Sequence, residues 1–476
     1  MALLKFHKVS LTASRCSSTS ATFFYDAVIV GGGMVGNSMA CSLGSSDTLK
    51  NKKILLLESS ERKPLERSSL FSNRTSAVTS ASIQFFKKLG IWNKFLDYRA
   101  KRVDRYEVID SCTRSTINFS NPLSEDGLAY IIENNIIVSH LLERIEQTCK
   151  NVTVKTNLKV LDCSIPNSLA EDAKIVLSDG TEVSTSLVIG ADGGNSIVRR
   201  AAGTKYTWWQ YGQKGVVAVV KLENAGQNNI AWQRFSSRGP VALLPLDEDT
   251  SNLIWTTSDD HAEELLKRNP EEFIDTLNYH LSTDRLQNGL TNRVLEAIDG
   301  FAGTVFGSGR TMIPSPPHII SLQPNTRAAF PLVFGHAHTY VSARSALIGD
   351  AAHRIHPLGG LGVNLGWADV ERLTACLERI IQEGADLGSL TYLAEYDTKA
   401  QRHNVPQQVA CDWINRLYRT NSFPAIFLRG VGLHLVNKAT PVKVSVAHLE
   451  PGKSQWKYVT SQFQDAITAH MAAPNV

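Results

Sequence analysis

"YDAVIVGGGMVGNSMACSLG", Tyr25 to Gly44, is the stretch that decides the fold. It reads as a buried strand, a glycine turn and a helix. The run Ala27 to Val30 is apolar at every position, the pattern of a strand buried on both faces, as parallel strands are. Gly31, Gly33 and Gly36 then form a GxGxxG pattern. The first glycine permits a tight turn, the second lets backbone approach a pyrophosphate, and the third lets the helix pack on the strand. A helix start also offers unpaired N–H groups and a favourable dipole to phosphates. "KILLLE", Lys53 to Glu58, is a second buried strand, which completes a βαβ unit. Glu58 ends it, 22 residues past Gly36, where a carboxylate binds a ribose hydroxyl pair. This set points to a dinucleotide and does not distinguish FAD from NAD.

Outward from that unit, "TSAVTSASIQFFKKLGIW" (Thr75–Trp92) and "IIVSHLLERIEQTC" (Ile136–Cys149) have helical spacing. "KIVLSDGTEVSTSLVIGADG" (Lys174–Gly193) reads as a hairpin-like pair ending in a buried strand. From Tyr206 to about Val341 short β-rich runs dominate, among them "GVVAVVKL", "PVALLPL" and "NLIWTT", and predict a mostly antiparallel second domain. "ARSALIGD" then returns to the buried-strand style, followed by a long helix from about Gly360 to Glu383 and further helical sequence.

Two later segments have the same chemistry of strand end and turn. "GADGGNSIVR" (Gly190–Arg199) places Asp192-Gly193 after a buried strand and Arg199 on the next helix. By itself it is also an ordinary Asp-Gly surface turn. "LIGDAAHRIHPLGGLGVNLG" (Leu347–Gly366) delivers Gly349 and Asp350 at a strand's C-terminal end, the edge where open α/β sheets bind ligands. Asp350 there can accept hydrogen bonds from sugar or ribityl hydroxyls. "PLGGLGVN" then starts a helix whose N–H groups could face an anion. His353 and His356 have a spacing that invites a metal, but Pro357 follows and no Cys or acidic cluster joins them, so no metal is expected.

The chain has 476 residues, 43% of them hydrophobic, and a net charge of +4. That length supports two or three domains. Lys5, Lys8 and Arg15 precede the first acidic residue, Asp26, and supply most of the net charge, so the body carries no nucleic-acid footprint. The basic, Ser/Thr-rich, acid-free start fits a mitochondrial transit peptide, with a plain unstructured tail as the alternative. The seven cysteines are scattered, odd in number and without a CxxC, which argues against a disulfide framework or a zinc site and fits a reducing compartment. No run of eighteen apolar residues is present to span a membrane.

GxGxxG…Glu58, GADG…Arg199 and GD…HP…G.N, in that order, resemble the aromatic-hydroxylase class of FAD-dependent monooxygenases with the p-hydroxybenzoate hydroxylase fold. "NRTSAV", "YIIENN", "RFSSRGPVALLPL", "LIWTT", "AAFPL" and "GDAAHRIHPLGG" are similar to its ubiquinone-biosynthesis branch. The resemblance covers nearly all residues after Phe24. It implies an α/β fold: a Rossmann-like FAD-binding domain (residues 25–102, 134–204 and 342–385) after a leader (1–24). An inserted, mostly antiparallel β substrate domain (103–133 and 205–341) and a helical C-terminal region (386–476) would complete it.

The resemblance assigns FAD to Gly31, Gly33 and Gly36 at the pyrophosphate and Glu58 at the adenosine ribose. Arg74 would lie near pyrophosphate and ribityl, and Asn134 would be a polar flavin contact. Asp192 would shape the region shared with a visiting reductant, and Gly349-Asp350 would hold the ribityl chain. Pro357, Gly359, Gly360, Leu361, Gly362, Val363 and Asn364 would pass along the isoalloxazine ring, with backbone N–H groups at its N1/O2 edge. Relatives usually carry Gln where this chain has Leu361. The implied reaction is ring hydroxylation of a polyprenylated phenol or hydroxybenzoate, at C5, by O₂ through a flavin C4a-hydroperoxide. Ferredoxin with its reductase, or NAD(P)H, would donate electrons. A multi-enzyme ubiquinone-synthesis complex, peripheral on the matrix side of the mitochondrial inner membrane, is the implied setting. No general base is identifiable. "GVVAVV" and "PVALLPL" are either simple core strands or the lining of a passage for the prenyl tail. "FPAIFLRGVGLHLV" (Phe423–Val436) is either a core helix or an amphipathic one for a membrane or partner. The rival readings are a nicotinamide dehydrogenase, a hydroxylase or epoxidase of another aromatic or prenylated substrate, and a non-catalytic GDI-like prenyl-protein escort.

Overall fold

The computed structural model describes residues 22–62, 64–66, 68–111, 116–120, 126–223, 226–236, 238–283 and 315–420. Most of the expected leader, and the whole of Phe423–Val436, lie outside the described residues.

The first strand, Thr22–Val30, is central in an eight-stranded sheet. It lies parallel between Ile54–Leu57 and Glu182–Gly190, and these are flanked in parallel by Val152–Lys155 and Ser345–Leu347. All four side chains of Ile54–Leu57 are buried. Each such apolar side chain contributes about 1.5–3 kcal/mol when removed from water. The fingerprint helix, Met34–Gly44, covers the sheet together with the helices Asn134–Thr148 and Gly362–Gln382. The pair Ala173–Leu177 and Glu182–Gly190 is antiparallel, as its "SDG" turn predicts.

Thr75–Thr79, read from its spacing as the start of a helix, is instead a strand. It pairs with Ala129–Glu133 in a three-stranded sheet, and the helix begins at Ser80. The segment alternates half-buried and buried residues, and its β-branched Thr75, Val78 and Thr79 suit a pleated surface. The apolar recurrence at three and four belongs to Ile83, Phe85 and Phe86 further on.

The β-rich region forms most of a nine-stranded sheet. Tyr206–Leu222 is its longest strand, paired with Thr250–Ser258 on one side and Ala328–Ala337 on the other. Ile230–Phe235 and Val241–Pro245 continue the sheet, and Arg105–Asp110 joins in parallel with Ile230–Phe235. One face packs Val216, Ala218, Val241, Leu243 and Trp255 against the helices Asp259–Lys267 and Pro270–Ser282. The opposite face carries Val219, Ala231, Leu244 and Tyr106. "GVVAVV" and "PVALLPL" therefore divide by alternation: Val216, Ala218, Val220, Val241 and Leu243 pack under the helices, while Val219, Leu244 and Leu246 join a second cluster with Ala77, Val103 and Ile131 of the three-stranded sheet.

The long helix Leu390–Arg419 packs on Gly362–Gln382. Among the described residues no helix is long and apolar enough to cross a membrane.

Candidate active site

Three sequence segments far apart in the chain meet at one sheet edge. Thr22–Val30, Glu182–Gly190 and Ser345–Leu347 are adjacent parallel strands, so the turns after them emerge together. Gly31, at φ +105°, lies so close to the second turn that a Cβ would stand 2.4 Å from Ala191 O. Gly36 brings the helix onto the strand: a Cβ there would stand 1.8 Å from Gly31 O. Gly349 and Gly366 both pack on Val35 in the first turn of the fingerprint helix. Arg199, buried and stacked 3.8 Å over the Tyr206 ring, donates to Ala351 O and Gly194 O and ties the second turn to the third.

Two helices begin at this edge without a side-chain cap. In Met34–Gly44 the first intrahelical bond runs from Asn37 N–H to Gly33 O, so the N–H groups of Met34, Val35 and Gly36 precede it. In Gly362–Gln382 it runs from Leu365 N–H to Leu361 O, which leaves Gly362, Val363 and Asn364 in the same state. At Gly33 a Cβ would meet nothing within 4 Å, so the space in front of the first helix is open.

Glu58 ends its strand and accepts Gly32 N–H at 2.7 Å and Ser60 N–H at 2.7 Å. It thus holds the glycine turn, and a carboxylate's spare lone pairs remain for ribose hydroxyls. Arg74 is exposed just before Thr75–Thr79, and its carbonyl accepts Asn134 N–H at 3.0 Å. Asn134 Oδ1 accepts Ser76 O–H at 2.7 Å, and Ser76 also reaches Met34 Sδ at 3.8 Å. Arg74 and Asn134 are therefore brought to the first turn of the fingerprint helix. Asp192 Oδ2 accepts Ile197 N–H at 2.7 Å at the start of the helix Ile197–Ala201, while its buried Oδ1 has no hydrogen-bond partner among the described residues.

Asp350 is solvent-accessible yet walled in by protein, which raises its carboxyl above the ordinary value, while Arg354 and His353 pull it down. Pro357 to Gly359 form a single 3₁₀ turn, closed by Gly360 at φ +61° beside Ala77. The left-handed conformation suits glycine there. Leu361 is the N-cap residue of the following helix, and its side chain makes no cap bond. Asn364 spends its whole side chain on bracing: Oδ1 accepts from Ser82 at 2.7 Å and from Thr79, and Nδ2 donates to Ala77 O and Gly360 O. Of Asn364 only the backbone N–H is left to face a ligand.

The two histidines are engaged separately. His353 Nε2 lies 2.6 Å from Asp369 Oδ2, which also accepts Gly349 N–H at 3.0 Å, and Asn404 donates to Oδ1 at 2.8 Å. Asp369 is wholly buried. This network holds the Gly349-Asp350 turn, and sequence reading missed it because Asp369 and Asn404 sit in unremarkable helical sequence. His356 packs edge-on against Tyr211, 5.0 Å between ring centroids, and makes no hydrogen bond among the described residues. Burial holds its pKa down to about 4, and Arg419 pushes the same way. Among the described residues no group of three or more metal-ligating side chains gathers.

A cavity of about 470 Å³ opens beside the Pro357–Gly360 turn, bounded in part by Leu358, Phe235, Gln213, Asn415, Tyr418 and Arg419. A bulge in the long strand, between Gln210 and Lys214, turns Tyr211 toward His356 and Gln213 toward this cavity.

These residues fit FAD. The open space at Gly33 with its N–H donors suits a diphosphate. The carboxylates of Glu58 and Asp350 suit hydroxyl-bearing chains on either side of it, and the second helix start suits an electron-rich ring edge.

The comparisons agree. A family model described as "FAD binding domain" matches residues 25–311 and 316–412. "Ubiquinone biosynthesis monooxygenase COQ6, mitochondrial" of Caenorhabditis elegans is 47% identical over 431 residues, 89% of this chain and 95% of that protein. The human protein of the same name is 38% identical, covering 91% of this chain and 93% of its own length. Among solved structures, p-nitrophenol 4-monooxygenase PnpA from Pseudomonas putida superposes with a TM-score of 0.64 at 18% identity, over 90% of this chain and 97% of that one. The probable FAD-dependent monooxygenase pqsL from Pseudomonas aeruginosa gives 0.63 at 18% identity, over 86% and 99%. At those identities the likeness shows the fold. The chain belongs to the family of ubiquinone biosynthesis monooxygenases, FAD-dependent enzymes built on the p-hydroxybenzoate hydroxylase fold.

Proposed function

We propose that this chain hydroxylates the aromatic ring of a polyprenylated phenol or hydroxybenzoate in ubiquinone synthesis, at ring carbon C5, using O₂. The observation that carries the reading is the meeting of three turns and two uncapped helix starts at one sheet edge, opposite a half-apolar β face. The 47% identity to a relative named for this pathway supports it.

We assign FAD to Gly31, Gly33, Gly36, Glu58, Arg74, Asn134, Asp192, Gly349, Asp350 and the turn and helix start Pro357–Asn364. When bound, FAD supplies the activation of O₂, and the protein binds, orients and shields it. The N–H groups of Met34, Val35 and Gly36 would bind the diphosphate. Those of Gly362, Val363 and Asn364, at a helix's positive end, would stabilise negative charge on the ring's N1/O2 edge. The apolar face with Leu244, Tyr106 and Val219 would exclude water from the reacting ring. The cavity beside Leu358 would admit the substrate. The basic, acid-free N-terminal sequence and the relatives' names support a mitochondrial location. The prenylated substrate supports peripheral contact with the matrix face of the inner membrane within a multi-enzyme complex. Ferredoxin and its reductase fit as donors, with NAD(P)H the alternative.

The test is the lipid profile of cells in which the gene is inactivated. Loss of ubiquinone with accumulation of a prenylated precursor lacking one ring hydroxyl is expected. A normal quinone pool would sink the assignment.

A further inference from the structure

We propose that Cys41 and Cys149 are a dithiol that closes to a disulfide when a hydroperoxide reaches Cys149. The bond would cross-link two helices whose opposite ends stand at the FAD-binding edge.

Cys41 lies in the last turn of the fingerprint helix, Met34–Gly44, and Cys149 ends the helix Asn134–Thr148. The two are 108 residues apart in sequence, and the packing of these helices brings them together. Cys149 Sγ lies 3.9 Å from Cys41 O, 3.8 Å from Ser45 Oγ and 3.6 Å from Thr148 Oγ1. Gly44, three residues on from Cys41 and so on the same helix face, permits the approach. A Cβ there would stand 2.5 Å from Cys149 Cβ and 2.7 Å from its Sγ. Both cysteines are buried, and both are free thiols. The burial is shallow: Ser45 and Thr148, which reach the Cys149 sulfur, are exposed. The other ends of the helices carry Met34 and Asn134, which meet through Ser76.

The pair is asymmetric. A hydrogen bond from the Cys41 thiol draws the Cys149 pKa down, and Thr148, Ser45 and the charge of Arg144 act the same way against its burial. The same contact, with burial, keeps Cys41 protonated. Cys149 is therefore the attacking sulfur. Its thiolate attacks the hydroperoxide: an S–O bond forms, the O–O bond breaks, and the leaving oxygen takes a proton. Cys149 is oxidised to a sulfenic acid and the peroxide is reduced. The Cys41 sulfur then attacks Cys149 Sγ. The S–S bond forms, the S–O bond breaks, and the oxygen departs as water with the Cys41 proton. Two thiols and one hydrogen peroxide thus give one disulfide and two waters. An FAD-dependent monooxygenase releases hydrogen peroxide whenever O₂ activation is not followed by transfer to substrate, so the oxidant arises in the protein's own site. A thiol reductant reopens the bond by exchange, as suits a transient disulfide in a reducing compartment.

The experiment uses the FAD-loaded full chain, fully reduced and then exposed to a slight excess of hydrogen peroxide. Remaining thiols are blocked with N-ethylmaleimide in denaturant, and the digest is read by mass spectrometry. One linked peptide pair holding Cys41 and Cys149 is expected, with Cys163, Cys376 and Cys411 carrying maleimide. The melting midpoint of the native protein should rise by about 5 °C on oxidation and return with dithiothreitol, because the bond closes a long loop. In Cys41→Ala the midpoint should not respond to peroxide, and Cys149 should carry a sulfenic acid that dimedone traps. In Cys149→Ala, Cys41 should remain a thiol. Absence of the linked pair, oxidation spread evenly over the other cysteines, or a sulfenic acid on Cys41 in Cys149→Ala overturns the proposal. If either variant fails to hold FAD, the peptide map and midpoint of the native protein decide, and an unmoved midpoint overturns the cross-link.

Discussion

Gly33 and Gly36 stand three residues apart, yet alanine should do opposite things at the two. At Gly36 the new Cβ would lie 1.8 Å from Gly31 O and 3.0 Å from its carbonyl carbon. Both atoms are backbone and cannot swing aside. Ordinary contact requires a retreat of roughly 1.6 Å between the helix and the first turn. Overpacking of this kind costs about 1–3 kcal/mol, and a rigid neighbour puts it at the upper end. Since the displaced turn is the proposed diphosphate seat, about 3 kcal/mol corresponds to a loss of FAD affinity of roughly 100-fold. At Gly33 the backbone is extended, φ −70° and ψ −172°, and the Cβ meets nothing within 4 Å. The apoprotein should keep its stability to within about 0.5 kcal/mol. The methyl would still occupy the space in which backbone approaches the diphosphate, so FAD should bind about tenfold more weakly or worse. The assay is FAD affinity by flavin-fluorescence titration, beside the thermal midpoint of each apoprotein. Gly36→Ala should lower both, and Gly33→Ala only the first. Full flavin and a native midpoint in Gly36→Ala would refute the packing argument. Native FAD affinity in Gly33→Ala would remove the ligand from that space.

Asp350→Ala should weaken FAD by about 10- to 100-fold, the range for a charge-assisted hydrogen bond, without lowering the apoprotein's midpoint; unchanged affinity takes Asp350 out of the site. Asp369→Ala leaves Gly349 N–H, His353 and Asn404 without their shared acceptor, and should cost about 3 kcal/mol or more and release FAD; a native melting curve would show the network is dispensable. His356 stays neutral in the fold down to about pH 4 but titrates near 6.5 when unfolded. The unfolded chain therefore binds the extra proton first, and stability present above about pH 6.5 is lost as pH falls toward 4, by at most about 3 kcal/mol. His356→Phe keeps the contact with Tyr211 and should flatten that part of the midpoint-versus-pH curve; an identical slope in both proteins would contradict it. Leu361→Gln should change FAD affinity by no more than about twofold, since the contribution there is backbone; a large shift in flavin reduction potential would assign the side chain a role.

The glycine motifs were readable because their function is backbone geometry, and backbone geometry leaves a residue-type signature. Gly31, Gly36 and Gly349 each sit where a Cβ would meet another motif. Glu58 and Asp350 were candidates because of their place at strand ends, and the fold puts both beside the glycine turns. Periodicity misread Thr75–Thr79 because a five-residue strand directly before a helix shares a window with it. Asp369, Asn404 and the meeting of Cys41 with Cys149 were invisible for another reason. Each matters through a partner 16 to 108 residues away, and no local pattern records that pairing.

The most direct test is oxygen incorporation. Purified FAD-loaded protein, a reduced ferredoxin system, ¹⁸O₂ and 3-prenyl-4-hydroxybenzoate should yield a product carrying one labelled oxygen on the ring, read by mass spectrometry. Flavin oxidation that produces only hydrogen peroxide, with the aromatic recovered unlabelled while it is bound, would contradict ring hydroxylation.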